Sequence, residues 1–227
     1  GPDGACYLCN NGGFRWHERN GRILPGYQSD DYSGGRIERV DLETGEVTVL
    51  YTECDGVPLR GPNDLVFDRQ GGLWFTDHGK IRKREEDRTV VFYAKADGSF
   101  IAEAIFPVHG PNGVGLSTDE KTLYGAETPT GRLWAYDIEA PGKIVKGRGE
   151  APWQPGRLLY GAPDYRFFDS LAVDSAGNIC LGTLIKGGIT VTAATGLRPA
   201  CSATAHDAPG PAPPQPLRQH QPQPQPL

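Results

Sequence analysis

One unit recurs along this chain, and the recurrence restricts the fold more than any other feature. Residues 61–77 read GPNDLVFDRQGGLWFTD, residues 110–128 read GPNGVGLSTDEKTLYGAET, and residues 168–184 read FDSLAVDSAGNICLGTL. Each is a polar residue, a short alternating strand, a turn of the Asp-Gly type and a second apolar strand, the pattern of a tight hairpin. The anchors Asn63, Asn112 and Asp169 are 49 and 57 residues apart. GPDGACYLCN at 1–10 matches the second half of the unit, with Asn10 aligned on Asp77. A third strand follows each copy, at Gly35–Asp41, Thr89–Ala94, Gly131–Asp137 and Gly188–Val191. Short strands separated by turn signals, with no long segment of helical period, predict an all-β fold. A repeat of this length with about four strands suits a β-propeller blade. A sandwich is the alternative, but it does not explain an Asn or Asp at the same place in each unit.

The 227 residues carry 31 Gly and 20 Pro, which fits a chain rich in turns. Net charge is −5, with 23 basic and 28 acidic residues intermixed. That balance argues against a nucleic-acid partner, and no apolar run is long enough for a membrane span. The basic run Lys80–Arg88 (KIRKREEDR) is balanced by acids and reads as a solvated loop, while Asp64 and Glu38 need no special role. Trp74 and Trp134 fall in strands and read as core. Five Cys is an odd count without a disulfide-like spacing. Reduced thiols in a cytoplasmic setting are therefore expected.

Two segments follow from composition. Residues 1–191 carry the repeats. Residues 192–227 contain no aromatic residue, Val or Ile, and end in Pro interleaved with Gln. Such a tail is expected to be disordered, and its abrupt start suggests a shift of reading frame or a splice of unrelated sequence. The chain contains no Met, which suggests a fragment.

In a propeller the first strand of each blade lines a central channel, so Asn63, Asn112 and Asp169 are expected to converge at one end of it. Two amides and a carboxylate form an all-oxygen set, suited to a hard cation such as Ca²⁺. As single residues they could equally cap turns. A second ring, Asn10, Asp77, Glu127 and Thr183, aligns one strand later, with His78 beside Asp77. These are either strand-end turn residues or groups that face substrate hydroxyls.

With these motifs in view, GPNDLVFDRQGGLWFTDHG, GPNGVGLSTDEKTLYGAETPTGRLWAYDI and DSLAVDSAGNICLGTLIKGGITV closely resemble the gluconolactonase-like family that includes senescence marker protein and luciferin-regenerating enzyme. The resemblance runs from residue 1 to about residue 191. It implies a six-bladed propeller, of which about four blades are expected here, with one divalent metal in the channel, usually Ca²⁺ but also Zn²⁺, Mn²⁺ or Mg²⁺. It implies hydrolysis of sugar-acid lactones or related esters. By resemblance Asn112 and Asp169 are metal ligands, Asp169 is also the catalytic base, and Asn63 lies near metal and substrate. Asp77, His78 and Glu127 are then expected to orient the substrate. An Arg that binds substrate in animal members, two residues before the Asn, is Gly61 here, with Arg60 one place away. The family's further ligand, a Glu in an early strand, falls before Gly1. A chain lacking it is expected to be a poor enzyme or none. No Gly-x-Ser-x-Gly elbow is present, which argues against a serine mechanism. The competing reading is a non-catalytic propeller that binds a small ligand or partner, or a fragment without function.

Overall fold

Asp and Ser side chains build the hairpin turns between the first two strands of each unit. Asp68 Oδ1 accepts the N–H groups of Gln70 and Gly72, and Asp174 Oδ1 accepts those of Ala176 and Asn178. Ser117 Oγ does the same for Thr122 N–H. In the computed structural model, which describes residues 1–149, 151–194 and 199–203, these turns join antiparallel meanders.

The first sheet holds β1 (Cys6–Asn10), then a projecting hairpin of β2 (Phe14–Arg19) and β3 (Arg22–Gln28), then β4 (Arg36–Val40) and β5 (Val47–Tyr51). A small ribbon of β6 (Glu53–Cys54) and β7 (Val57–Pro58) follows. The second sheet is β8 (Pro62–Phe67), β9 (Gly72–Asp77), β10 (Thr89–Lys95) and β11 (Ile101–Val108), paired in chain order. The third is β12 (Pro111–Leu116), β13 (Thr122–Glu127), β14 (Arg132–Ala140), β15 (Lys143–Ile144) and β16 (Arg157–Gly161), the last two both on β14. The fourth is β17 (Phe167–Val173), β18 (Asn178–Leu184), β19 (Ile189–Ala193) and β20 (Pro199–Ala203). The chain is all-β over the described residues, and no strand pairing among them links the fourth sheet back to the first.

The sheets stand side by side through their innermost strands: β12 packs against both β8 and β17, and β8 also meets β1. Alternation along the strands supplies both faces of each sheet. On β9, Leu73 and Phe75 enter the core shared with the first sheet, while Trp74 enters the core shared with the third. On β14, Trp134 and Tyr136 face the second sheet, and Leu133 and Ala135 face the fourth. Gly113 and Gly115 let β17 come close, since a Cβ on Gly113 would lie 2.6 Å from Asp169 O and one on Gly115 2.4 Å from Leu171 Cδ2.

The boundary expected at residue 191 falls inside β19, and pairing continues through β20 to Ala203. Residues 195–198 and 204–227, where most of the expected disordered tail lies, are outside the described residues. The described cysteines, 6, 9, 54 and 180, are free thiols.

The expectation of a solvated loop over Lys80–Arg88 is corrected at its first residue. Lys80 is 1% exposed. Its ammonium donates to Gly13 O at 2.9 Å and Asn11 Oδ1 at 3.3 Å, and lies 3.7 Å from the centroid of the Phe14 ring. Burial lowers its pKa from 10.5 to about 8, against the opposing charges of Asp77 and Asp87. The aliphatic stem and the aromatic partners make burial possible. Lys80 thereby ties the base of the β2–β3 hairpin to the second sheet.

Candidate functional site

The three repeat anchors share one backbone feature. In β8, Pro62 pairs with Asp77 and Leu65 with Phe75, so Asn63 and Asp64 together oppose Thr76. In β12, Pro111 pairs with Glu127 and Val114 with Gly125, so Asn112 and Gly113 oppose Ala126. In β17, Phe168 pairs with Thr183 and Leu171 with Leu181, so Asp169 and Ser170 oppose Gly182. Each innermost strand thus carries a β-bulge at the same phase, and the expected site residues are the bulged ones. A bulge releases residues from the ladder and re-aims their side chains. The three bulges lie on adjacent strands at one end of the sheets.

Asn112 is buried, and its Oδ1 has no hydrogen-bond partner. Its own carbonyl accepts a 2.7 Å bond from Thr76 Oγ1, which locks β12 to β9. Asp169 is half-buried and lines an open cleft of ≈ 390 Å³ with Gly182, Thr183, Gly187 and Gly188. Ile185, in the wall of that cleft, has φ 73°, a conformation that β-branched residues rarely adopt and that marks local strain. Asn63 is exposed.

Asp64 joins this group, although the sequence reading gave it no role. Its Oδ2 accepts Val114 N–H at 3.1 Å and its Oδ1 accepts Leu65 N–H. Burial pushes its carboxyl above the ordinary range and the Asp169 charge adds to the effect, while N–H donors from Val114, Leu65 and Leu171 oppose it. The available signal was position: where Asp64 stands, the other two units carry Gly113 and Ser170, so only one sheet places a charge there.

His78 is half-buried, and burial pushes its pKa below the ordinary value, with Pro111 O and the charges of Asp77 and Asp169 opposing. Its Nδ1 lies 3.3 Å from Pro111 O. A carbonyl only accepts, so Nδ1 carries the proton and Nε2 keeps its lone pair.

Asp77 and Glu127 are used differently. Asp77 accepts the N–H groups of Arg60, Gly61 and Gly79 at 2.7–2.9 Å. Glu127 accepts His109 N–H at 3.1 Å and the Thr130 hydroxyl at 2.6 Å. Both pin the loops that enter β8 and β12. Cys9 lies near Asp64 and Asp77, and burial followed by those two charges pushes its thiol well up, so it is not a thiolate at neutral pH.

Among the described residues no cluster of three His, Cys, Asp or Glu side chains could hold a metal. The oxygens of Asn63, Asn112 and Asp169 nevertheless suit a hard cation, and the unpartnered Asn112 Oδ1 is an acceptor that a cation or a substrate donor would satisfy.

The site can be set beside known proteins. Residues 2–201 match the family model described as SMP-30/Gluconolactonase/LRE-like region. Lactonase drp35 of Staphylococcus haemolyticus is 30% identical over 173 residues, which cover 76% of this chain and 50% of that protein. A gluconolactonase from Xanthomonas campestris superposes with a TM-score of 0.59 at 26% identity, covering 75% of this chain and 56% of that one. Regucalcin from Agrobacterium tumefaciens, a calcium-binding protein, gives a TM-score of 0.59 at 20% identity, covering 80% and 56%, and shows the fold alone. The chain spans about half the length of the curated relatives it matches. With the family model covering most of its length, the chain belongs to the SMP-30/gluconolactonase/LRE-like family.

Proposed function

We propose that this chain carries the reactive face of a lactone-opening hydrolase, with a small lactone or related ester as substrate. The observation that supports it is the coincidence of three in-phase bulges with Asn63, Asn112 and Asp169. The lactonase and gluconolactonase relatives point the same way.

In this reading Asp169 is the general base. Its carboxylate borders the open cleft, where it takes a proton from water as that water attacks the lactone carbonyl and returns it to the ring oxygen as the ring C–O bond breaks, leaving the hydroxy acid. Asp64, held by Val114 and Leu65 N–H, places a second carboxyl within reach of the Asp169 charge. His78 Nε2 accepts a hydrogen bond from a substrate hydroxyl. Asn112 Oδ1, Asp169 and Asn63 are the residues that would hold a divalent cation, Ca²⁺ in the first instance. The chemistry such an ion supplies when bound is Lewis-acid polarisation of the carbonyl. With only one carboxylate in the set, cation affinity is expected to be weak, because affinity follows ligand charge.

The test is calorimetric Ca²⁺ titration of the chain together with pH-stat hydrolysis of five- and six-membered lactones, for the wild type and Asp169→Asn. Loss of both signals in the variant is expected. Hydrolysis that survives Asp169→Asn unchanged would remove Asp169 as base.

A further inference from the structure

We propose that the cleft between the second and third sheets is a separate binding site for a flat organic carboxylate. This cleft, ≈ 570 Å³, opens above the core those sheets share, and Asp169 is not among the residues that line it. Its walls include Arg88, Arg132, Trp134 and Trp153, together with the acids Glu86, Asp87 and Glu127.

An account of hydrogen-bonding capacity gives the ligand's chemistry. Each acid in the cleft has a contact of its own. Glu86 lies 3.5 Å from His109 Nε2. Asp87 takes Lys80 N–H at 2.9 Å and the Arg82 guanidinium. Glu127 takes His109 N–H and the Thr130 hydroxyl. Two lining guanidinium groups and one indole N–H are left without a polar partner among the described residues. Among the described residues neither Arg88 nor Arg132 forms an ion pair, and Arg88 lies 4.8 Å from the Phe106 ring centroid instead. Trp134 is 6% exposed, and its Nε1–H is buried without an acceptor. Arg132 and Trp134 point the same way because they are two apart on β14.

A ligand that matches this surplus brings acceptors and negative charge. A guanidinium fork fits the two oxygens of a carboxylate. Trp153 adds the second half of the specification. Its indole is 76% exposed at the cleft, an apolar plate on which a flat ring can lie. A simple inorganic anion would leave that plate uncovered.

The experiment titrates the chain with benzoate and follows tryptophan fluorescence, with acetate and benzamide as probes that each lack one half of the ligand. Saturable quenching by benzoate is expected, with acetate and benzamide each about tenfold weaker, ~1.4 kcal/mol. Arg132→Gln and Trp153→Ala alter exposed side chains and leave the fold intact by circular dichroism, and each is expected to weaken benzoate by about tenfold or more. Asp169→Asn is expected to bind benzoate as the wild type does, which separates this cleft from the lactone site. Linear, non-saturating quenching, or saturable quenching unchanged in both cleft variants, overturns the proposal. Loss of benzoate binding in Asp169→Asn overturns the separation of the two sites.

Discussion

Two rings of polar residues recur at fixed phase in this chain, and the structure treats them in opposite ways. The outer ring, Asn10, Asp77, Glu127 and Thr183, sits at or near the ends of the second strands, and each of its members is hydrogen-bonded within the protein. Asn10 is bound to Glu38 and Gly12 N–H, Asp77 to three backbone N–H groups, Glu127 to His109 and Thr130, and Thr183 to the Thr190 hydroxyl. The inner ring, Asn63, Asn112 and Asp169, sits in the bulges, and the buried oxygen of Asn112 is left unpartnered. Equal phase therefore does not mean equal purpose. A polar residue on the ladder next to an incoming loop closes that loop. A polar residue squeezed out of the ladder is free to meet a ligand.

The contrast breaks most readily at Asp77. Asp77→Ala strands the N–H groups of Arg60, Gly61 and Gly79. Each unsatisfied buried donor costs about 1–3 kcal/mol, so a loss on the order of 3–5 kcal/mol is expected after some water entry. Urea unfolding measures it, and a loss below about 1 kcal/mol would contradict a loop-closing role. Glu127→Ala leaves one backbone donor and one hydroxyl, and the same measurement should give a smaller loss of about 1–3 kcal/mol.

The sequence carried the rings but not their difference. Asn63, Asn112 and Asp169 were legible because short apolar strands and Asx turns mark the unit, and the turns form through Asp68, Ser117 and Asp174. The bulges were not legible. A bulge is a mismatch between two strands, and nothing in GPND or GPNG says how many partner residues will face it. For the same reason Asp64 looked idle until Val114 N–H was found on its carboxylate. Lys80 was misread because charge pattern alone places a Lys in solvent, whereas its burial depends on Phe14 and Gly13, far away in sequence. The β2–β3 hairpin did have a local signal. Asn20-Gly21, with φ of 53° and 71°, is the turn that twisted two-residue hairpins favour.

Lys80 provides a comparison between the rim and the site, with a defined pH window. Its folded pKa of about 8 lies below the ordinary 10.5, with Asp77 and Asp87 as the facing charges. Between those values the unfolded chain holds a proton that the folded chain has released, so this group's contribution to stability rises with pH. Below about 8 the burial penalty is present in full. Relative to Lys80→Met, which keeps the stem and removes the charge, the wild type should gain stability as pH rises from about 8 to about 10. Unfolding curves at several pH values test this, and a difference that stays flat with pH would mean the ammonium is not buried as described.

The smallest expected change in stability sharpens the comparison most, because it falls on the inner ring. Asn112→Ala removes a buried oxygen that makes no hydrogen bond. Deleting an unsatisfied acceptor recovers part of its desolvation cost, which offsets the lost side-chain contacts. Asp169→Asn changes a half-buried group that borders open cleft. Both variants should unfold within about 1 kcal/mol of the wild type, while Ca²⁺ binding falls in each. Stability and ligand binding then separate by ring: outer-ring variants lose the first, inner-ring variants the second. A large stability loss in Asn112→Ala would mean that the bulge on β12 is held by that side chain, and the inner ring would then be as structural as the outer.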